Sequence, residues 1–177
     1  MLTRLKRNGV NVLGWTTKLK IVVFESDDWG MIRMASREVF DRLLAEGYPV
    51  DQCVYNRNDA LETNEDVLSL MEVLGTVKDS KGSPAKFTLN NIVGNPDFNK
   101  IKESNFEQYY YEPFNETLQR YANTDQVMNL YKEGREKDLF QLQFHGREHV
   151  NVNRWMGALQ KKDKVLLDAF NEGMFTV

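Results

Sequence analysis

The sequence predicts an α/β fold in which parallel strands alternate with helices. Three observations predict it. Apolar or β-branched runs recur at residues 20–25, 86–93 and 139–144; stretches with apolar residues at helical spacing lie between them; and cap and turn residues mark each change of period. The intervening stretches are long enough for the crossover connections that parallel strands need.

The first run, Lys20 through Glu25, is continuous, the pattern of a strand buried on both faces. It passes directly into Ser26, Asp27, Asp28, Trp29 and Gly30. Ser36 is placed to cap a helix whose apolar face is Val39, Phe40, Leu43 and Leu44, with Gly47 and Pro49 as stop signals. Residues 51–62 are polar and read as a loop. Thr63 and Asp66 resemble a capping box, with Asp in place of Glu, ahead of Val67, Leu70, Met71 and Leu74. Lys78 to Pro84 is a turn, and residues 86–93 form a second strand expected beside the first. In Gly94-Asn95-Pro96-Asp97, Asn95 is expected to cap and Pro96 to open a short helix. Tyr109, Tyr110, Tyr111 and Phe114 cluster at the Glu112-Pro113 break; aromatic faces can stack on sugars, though packing is their commoner use. A helix follows Thr124 with Val127, Leu130 and Tyr131 on one face. Residues 139–144 form a third strand that delivers His145. Asp163 caps a last helix through Val165, Leu166, Leu167 and Phe170, stopped by Gly173, and Met174 to Val177 reads as the start of another strand.

Composition narrows the function classes. The 26 acidic and 23 basic residues give a net charge of −3, interspersed, with no basic run after residue 20, so there is no electrostatic footprint for nucleic acid. Cys53 is the one cysteine; no intramolecular disulfide can form, and a cytoplasmic location is the expectation. The first 15 residues are basic at Arg4, Lys6 and Arg7, but their apolar stretch is too short for a secretory signal. They are read as a helix capping the bottom of the fold, with contact to an anionic membrane surface as the alternative. No run approaches the ~20 apolar residues of a transmembrane helix.

The chain has two histidines, both in His145-Gly146-Arg147-Glu148-His149 at the end of the third strand. Neutral imidazoles are the commonest nitrogen ligands of zinc-like ions, and two of them four residues apart can converge on one ion. Surface histidines are the plainer reading of that spacing alone. At the exit of the first strand, the neighbouring carboxylates Asp27 and Asp28 repel each other unless a cation relieves them or one is a solvated turn residue. With a cation they divide the work, one binding the ion and the other free as a base. Asp28, His145 and His149 then make a three-ligand site with a fourth position open to water, the arrangement of catalytic zinc sites.

The pair Asp27-Asp28 ending one strand and His145-x-x-x-His149 ending a later one resemble the polysaccharide deacetylase family, the NodB-homology domain of carbohydrate esterase family four. The resemblance implies an incomplete (β/α) barrel of the deacetylase type, with residues 1–177 as a single domain forming its N-terminal portion; a β/α barrel typically takes ~200–250 residues. It implies Asp27 as catalytic base, Asp28, His145 and His149 as ligands of a divalent metal, Zn2+ foremost, and an acetylated saccharide as substrate. Trp29, Asn91, Arg147 and Glu148 are the expected substrate-contacting residues. The chain departs from the family pattern at Trp29, inserted before the glycine, and at Gly146, where the family carries Ser or Thr. The family's Arg-x-Pro segment and distal general-acid histidine are absent.

Two alternatives stay open. His-x-x-Glu-His also fits the inverted zinc-peptidase motif, which needs both histidines on one helix face, with Glu148 as base. The other is a catalytically silent sugar-binding or assembly module that completes its barrel by homo-oligomer formation.

Overall fold

The structure is a computed structural model that describes Gly9 and residues 14–176. The basic head, at residues 1–8 and 10–13, and Val177 lie outside the described residues. In chain order the elements are β1 (Phe24–Trp29), α1 (Arg37–Ala45), α2 (Val54–Asn58), α3 (Asn64–Thr76), β2 (Phe87–Ile92), β3 (Gly94–Pro96), α4 (Phe98–Glu103), β4 (Tyr111–Pro113), α5 (Phe114–Leu118), α6 (Val127–Glu136), β5 (Phe140–Gly146), α7 (Val152–Gln160) and α8 (Lys164–Asn171).

Strands β1, β2 and β5 form a parallel sheet in that order, and β3 pairs antiparallel with β4. The parallel sheet is open rather than a closed barrel. Its register aligns Phe24 with Phe87 and Phe87 with Phe140, then Ser26 with Leu89 and Leu89 with Leu142. This face carries the core: Leu89 and Phe140 pack with Val67, Met71 and Leu74 of α3 and Val127, Leu130 and Tyr131 of α6. Successive strand residues point to opposite faces, so Glu25, Thr88 and Gln141, and likewise Asn90 and Gln143, share the other face. Helices α3 and α6 thus cover one face, while the second is lined by polar side chains as far as Asn90 and Gln143 and ends at the buried Ile92. A second cluster, with Ile92, Ile101, Trp155, Leu159 and Phe170, joins β2 to α4, α7 and α8.

The capping signals fold as their chemistry requires. Thr63 and Asp66 form a reciprocal capping box, Ser36 caps α1 and Asp163 caps α8. Four expectations are corrected. The first strand begins at Phe24, not Lys20; Val22 and Val23 are 73% and 69% exposed, because β2 begins opposite Phe24 and supplies no ladder partner further back. The polar stretch 51–62 contains α2. The short helix at Phe98–Glu103 is capped by Asp97, whose carboxylate accepts from the Lys100 N–H at 3.0 Å, while Asn95 is drawn into the fold elsewhere. Met174 and Phe175 are buried against neighbouring clusters and form no strand. Helix α7 follows the histidine loop and is held by the Asn151 cap, whose side chain accepts from the Arg154 N–H. Among the described residues, no helix is long and apolar enough to cross a membrane.

Candidate metal centre

The exits of β1 and β5 meet at the carboxyl edge of the sheet, where functional loops of parallel folds gather. Asp28 adopts a left-handed conformation (φ 70°) at a register shift between Ser26 and Trp29, which turns its carboxylate toward β5. A second shift, at the end of β5, lies between the pairs Asn91–Phe144 and Ile92–Gly146 and brackets His145. His149 follows in the loop before α7.

The result is a compact triad. His149 Nε2 stands 3.1 Å and His145 Nε2 3.6 Å from the same atom, Asp28 Oδ1, and the three ligand atoms lie within 4.8 Å of one another. Ligands about 2.1 Å from a tetrahedral ion would be ~3.4 Å apart, so the two carboxylate–imidazole edges bracket that length. Asp28 Oδ1 is buried and accepts no hydrogen bond from the protein. A buried carboxylate oxygen without a donor is costly. A cation between it and the imidazoles removes that cost, so the residues present fit a divalent metal with two nitrogens and one oxygen as donors.

Asp27 stands beside the triad without joining it. Its Oδ1 accepts from Asn90 Nδ2 at 2.7 Å, its Oδ2 is 3.9 Å from His145 Nε2, and its side chain is more than half exposed. One carboxylate is therefore turned to the histidines and the other is steered by an amide and open to solvent.

Two buried side chains hold the loop that presents them. Glu62 accepts from the Gly30 N–H at 2.9 Å and from the Tyr131 hydroxyl. Asn95 donates to the Gly30 carbonyl at 2.8 Å and accepts from the Ile32 N–H at 3.0 Å. Burial pushes the Glu62 carboxyl above its usual range, against the opposing hydrogen bonds from Tyr131 and Gly30. Gly30 itself (φ 86°) has no room for a side chain: a Cβ there would stand 2.8 Å from the Ile92 carbonyl oxygen.

The remaining predicted site residues fall in different places. Arg147 and Glu148 form a two-pronged ion pair, with the guanidinium 4.3 Å from the Tyr111 ring centre, so they brace the loop between the histidines. Trp29 packs edge-on against Tyr131 and lines a cleft of about 680 Å³ that also contains Asp27 and Asp28. Asn91 faces the helix side and lines a separate pocket with Tyr131 and Phe144. Its neighbour Asn90 is the asparagine that reaches the site. Glu62 carries no sequence signal, since its partners lie 32 and 69 residues away.

The histidines do not share a helix. His145 ends a strand, His149 lies in a loop, and α7 begins only at Val152, so the inverted zinc-peptidase arrangement is not formed. Comparison with family models, with curated proteins and with solved structures finds no match to this chain.

Proposed function

We propose that this chain is a metal-dependent hydrolase that removes acetyl groups from a saccharide, a divergent relative of the polysaccharide deacetylases. The observation that carries the reading is the division of labour between adjacent carboxylates: Asp28 Oδ1 lies within reach of both imidazoles, while Asp27 is held out of the triad by Asn90. A parallel sheet with helices on one face and polar side chains on the other supports the finer reading of the fold as part of a β/α barrel, whose strands put their functional ends on one rim.

Asp28, His145 and His149 would hold the ion, Zn2+ by its donor set, which supplies an acidified water and polarises the acetyl carbonyl. Asp27 takes the proton of the attacking water. Asn90 keeps one Asp27 oxygen engaged and leaves the other directed toward the triad. Both histidines of residues 1–177 belong to the triad, so among the described residues Asp27 is the group placed to protonate the leaving amine. Asp27, carrying the proton it has just accepted, returns it to the departing nitrogen. One carboxylate thus serves as base and then as acid.

Acetate release from acetylated chito-oligosaccharides by the zinc-loaded protein tests the reading. Wild type should release acetate, and Asp27→Asn should lose roughly 10²-fold or more in kcat while retaining metal. Metal-loaded wild type without acetate release would leave a sugar-binding module in its place.

A further inference from the structure

A second cleft, of about 340 Å³, is lined by His149 and borders the acidic one at Arg33, and the charged side chains that line it are basic. Arg33, Arg154 and Trp155 all line it. The Arg33 guanidinium is clamped between the rings of Tyr55 and Phe175, 5.2 and 5.3 Å from their centres, and its Nε is buried with no acceptor. Trp155 is 5% exposed, and its indole N–H is likewise buried without a partner. Arg154 sits in the first turn of α7, on the side where helix N–H groups favour negative charge, and among the described residues it has no acidic partner. Asp59, whose carboxyl feels the Arg33 charge, lines the acidic cleft, which Arg33 also borders.

Unused buried donors cost stability unless something accepts from them. Two guanidinium groups and an indole N–H around one cleft match an oxyanion, which arginine binds through paired N–H donors. A cleft of this volume takes a sugar-sized group. We infer that the Arg33–Arg154 cleft binds a carboxylate or phosphate group carried by the saccharide whose acetyl group reaches the metal; the link to the acetyl end rests on the deacetylase reading, and the anion site does not. The acidic cleft, which contains Asp28, and the basic cleft, which contains His149, would then fix the direction in which the sugar lies across the triad.

The test is a titration of the metal-stripped protein with inorganic phosphate and, separately, with glucuronate, following the indole N–H resonance of Trp155 in 1H–15N spectra, assigned with Trp155→Phe. A saturable shift is expected with at least one of the two probes, and the probe that binds identifies the group. Arg33→Gln and Arg154→Gln should each weaken binding at least tenfold, and Arg37→Gln, an exposed residue paired with Asp41, should not. No saturable shift with either probe, or equal binding by Arg33→Gln and Arg154→Gln, would overturn the inference. Zinc binding measured on the same samples separates the two claims. A protein that binds anion and no zinc loses the metal reading alone, and one that binds zinc and no anion loses the anion site alone.

Discussion

Gly30→Ala tests how the Asp27-Asp28 turn is built. The added methyl group would meet the Ile92 carbonyl oxygen at 2.8 Å and the Phe114 ring at 3.0 Å, and the backbone is left-handed there. The left-handed conformation costs an L-residue roughly 1–2 kcal/mol. Forcing the β1 exit away from Ile92 adds about 1–3 kcal/mol of overpacking. The sum, about 2–5 kcal/mol, corresponds to a melting temperature lower by roughly 4–20 °C for a chain of this size. Because Glu62 and Asn95 grip Gly30 on both sides of its peptide units, the displacement is passed to Asp28 two residues away. Zinc affinity should therefore fall ~10- to 100-fold, the usual result of disturbing groups that orient metal ligands. Gly47→Ala is the control: its φ is 89°, but nothing lies within 4 Å of the added carbon, so only the backbone cost of roughly 1–2 kcal/mol applies, with zinc binding unchanged. Thermal unfolding by circular dichroism and zinc competition with a chromophoric chelator measure both effects. A Gly30→Ala protein that melts with Gly47→Ala and binds zinc like wild type would refute the close-approach argument.

Glu62 predicts a pH signature. Its folded carboxyl titrates above the unfolded value of about 4.3, so the native state holds the extra proton and stability falls as pH rises from about 4.3 through the folded value. Glu62→Gln, which keeps an acceptor for the Gly30 N–H and can donate to the Tyr131 oxygen, should flatten that decline in urea midpoints measured from pH 4 to 8. Glu62→Ala should cost about 2–4 kcal/mol by leaving two buried donors unpaired; an unchanged pH slope in Glu62→Gln would contradict the assignment. In the helices, Gly134→Ala should destabilise by about 1–3 kcal/mol because its Cβ would lie 2.2 Å from the Phe140 ring. Gly75→Ala, with no atom within 4 Å of the new carbon, should stabilise by about 0.5–1 kcal/mol. Denaturant melts giving the same sign for both would show that α6 does not rest on Phe140 as described.

The convergence of Asp28 with His145 and His149 was legible because it follows from two local facts and one rule: each motif ends a strand, and parallel strands put their ends on one edge. What was not legible depended on register and on distant pairing. Alternation alone does not say which of Asn90 and Asn91 faces the histidines. That choice is made by the Asn90–Gln143 pairing and the irregularity after Ser26. A β-branched run such as Ile21, Val22 and Val23 has strand propensity, yet propensity without a partner strand leaves it exposed. Asn95 was readable as a turn residue, and its role in holding Gly30 and Ile32 appears only when the β2 exit folds back against β1. Glu62 is a single acid in a polar stretch, and Tyr131 and Gly30 give it meaning only in three dimensions.

Metal content tests the central claim most directly. Purified wild type, Asp28→Asn and Glu148→Gln proteins, each dialysed against equal zinc and measured by elemental analysis at matched concentration, should separate cleanly. The Asp28–His145–His149 site predicts about one equivalent of zinc in wild type and in Glu148→Gln, and almost none in Asp28→Asn. Zinc retained in Asp28→Asn, or absent from wild type, would contradict it.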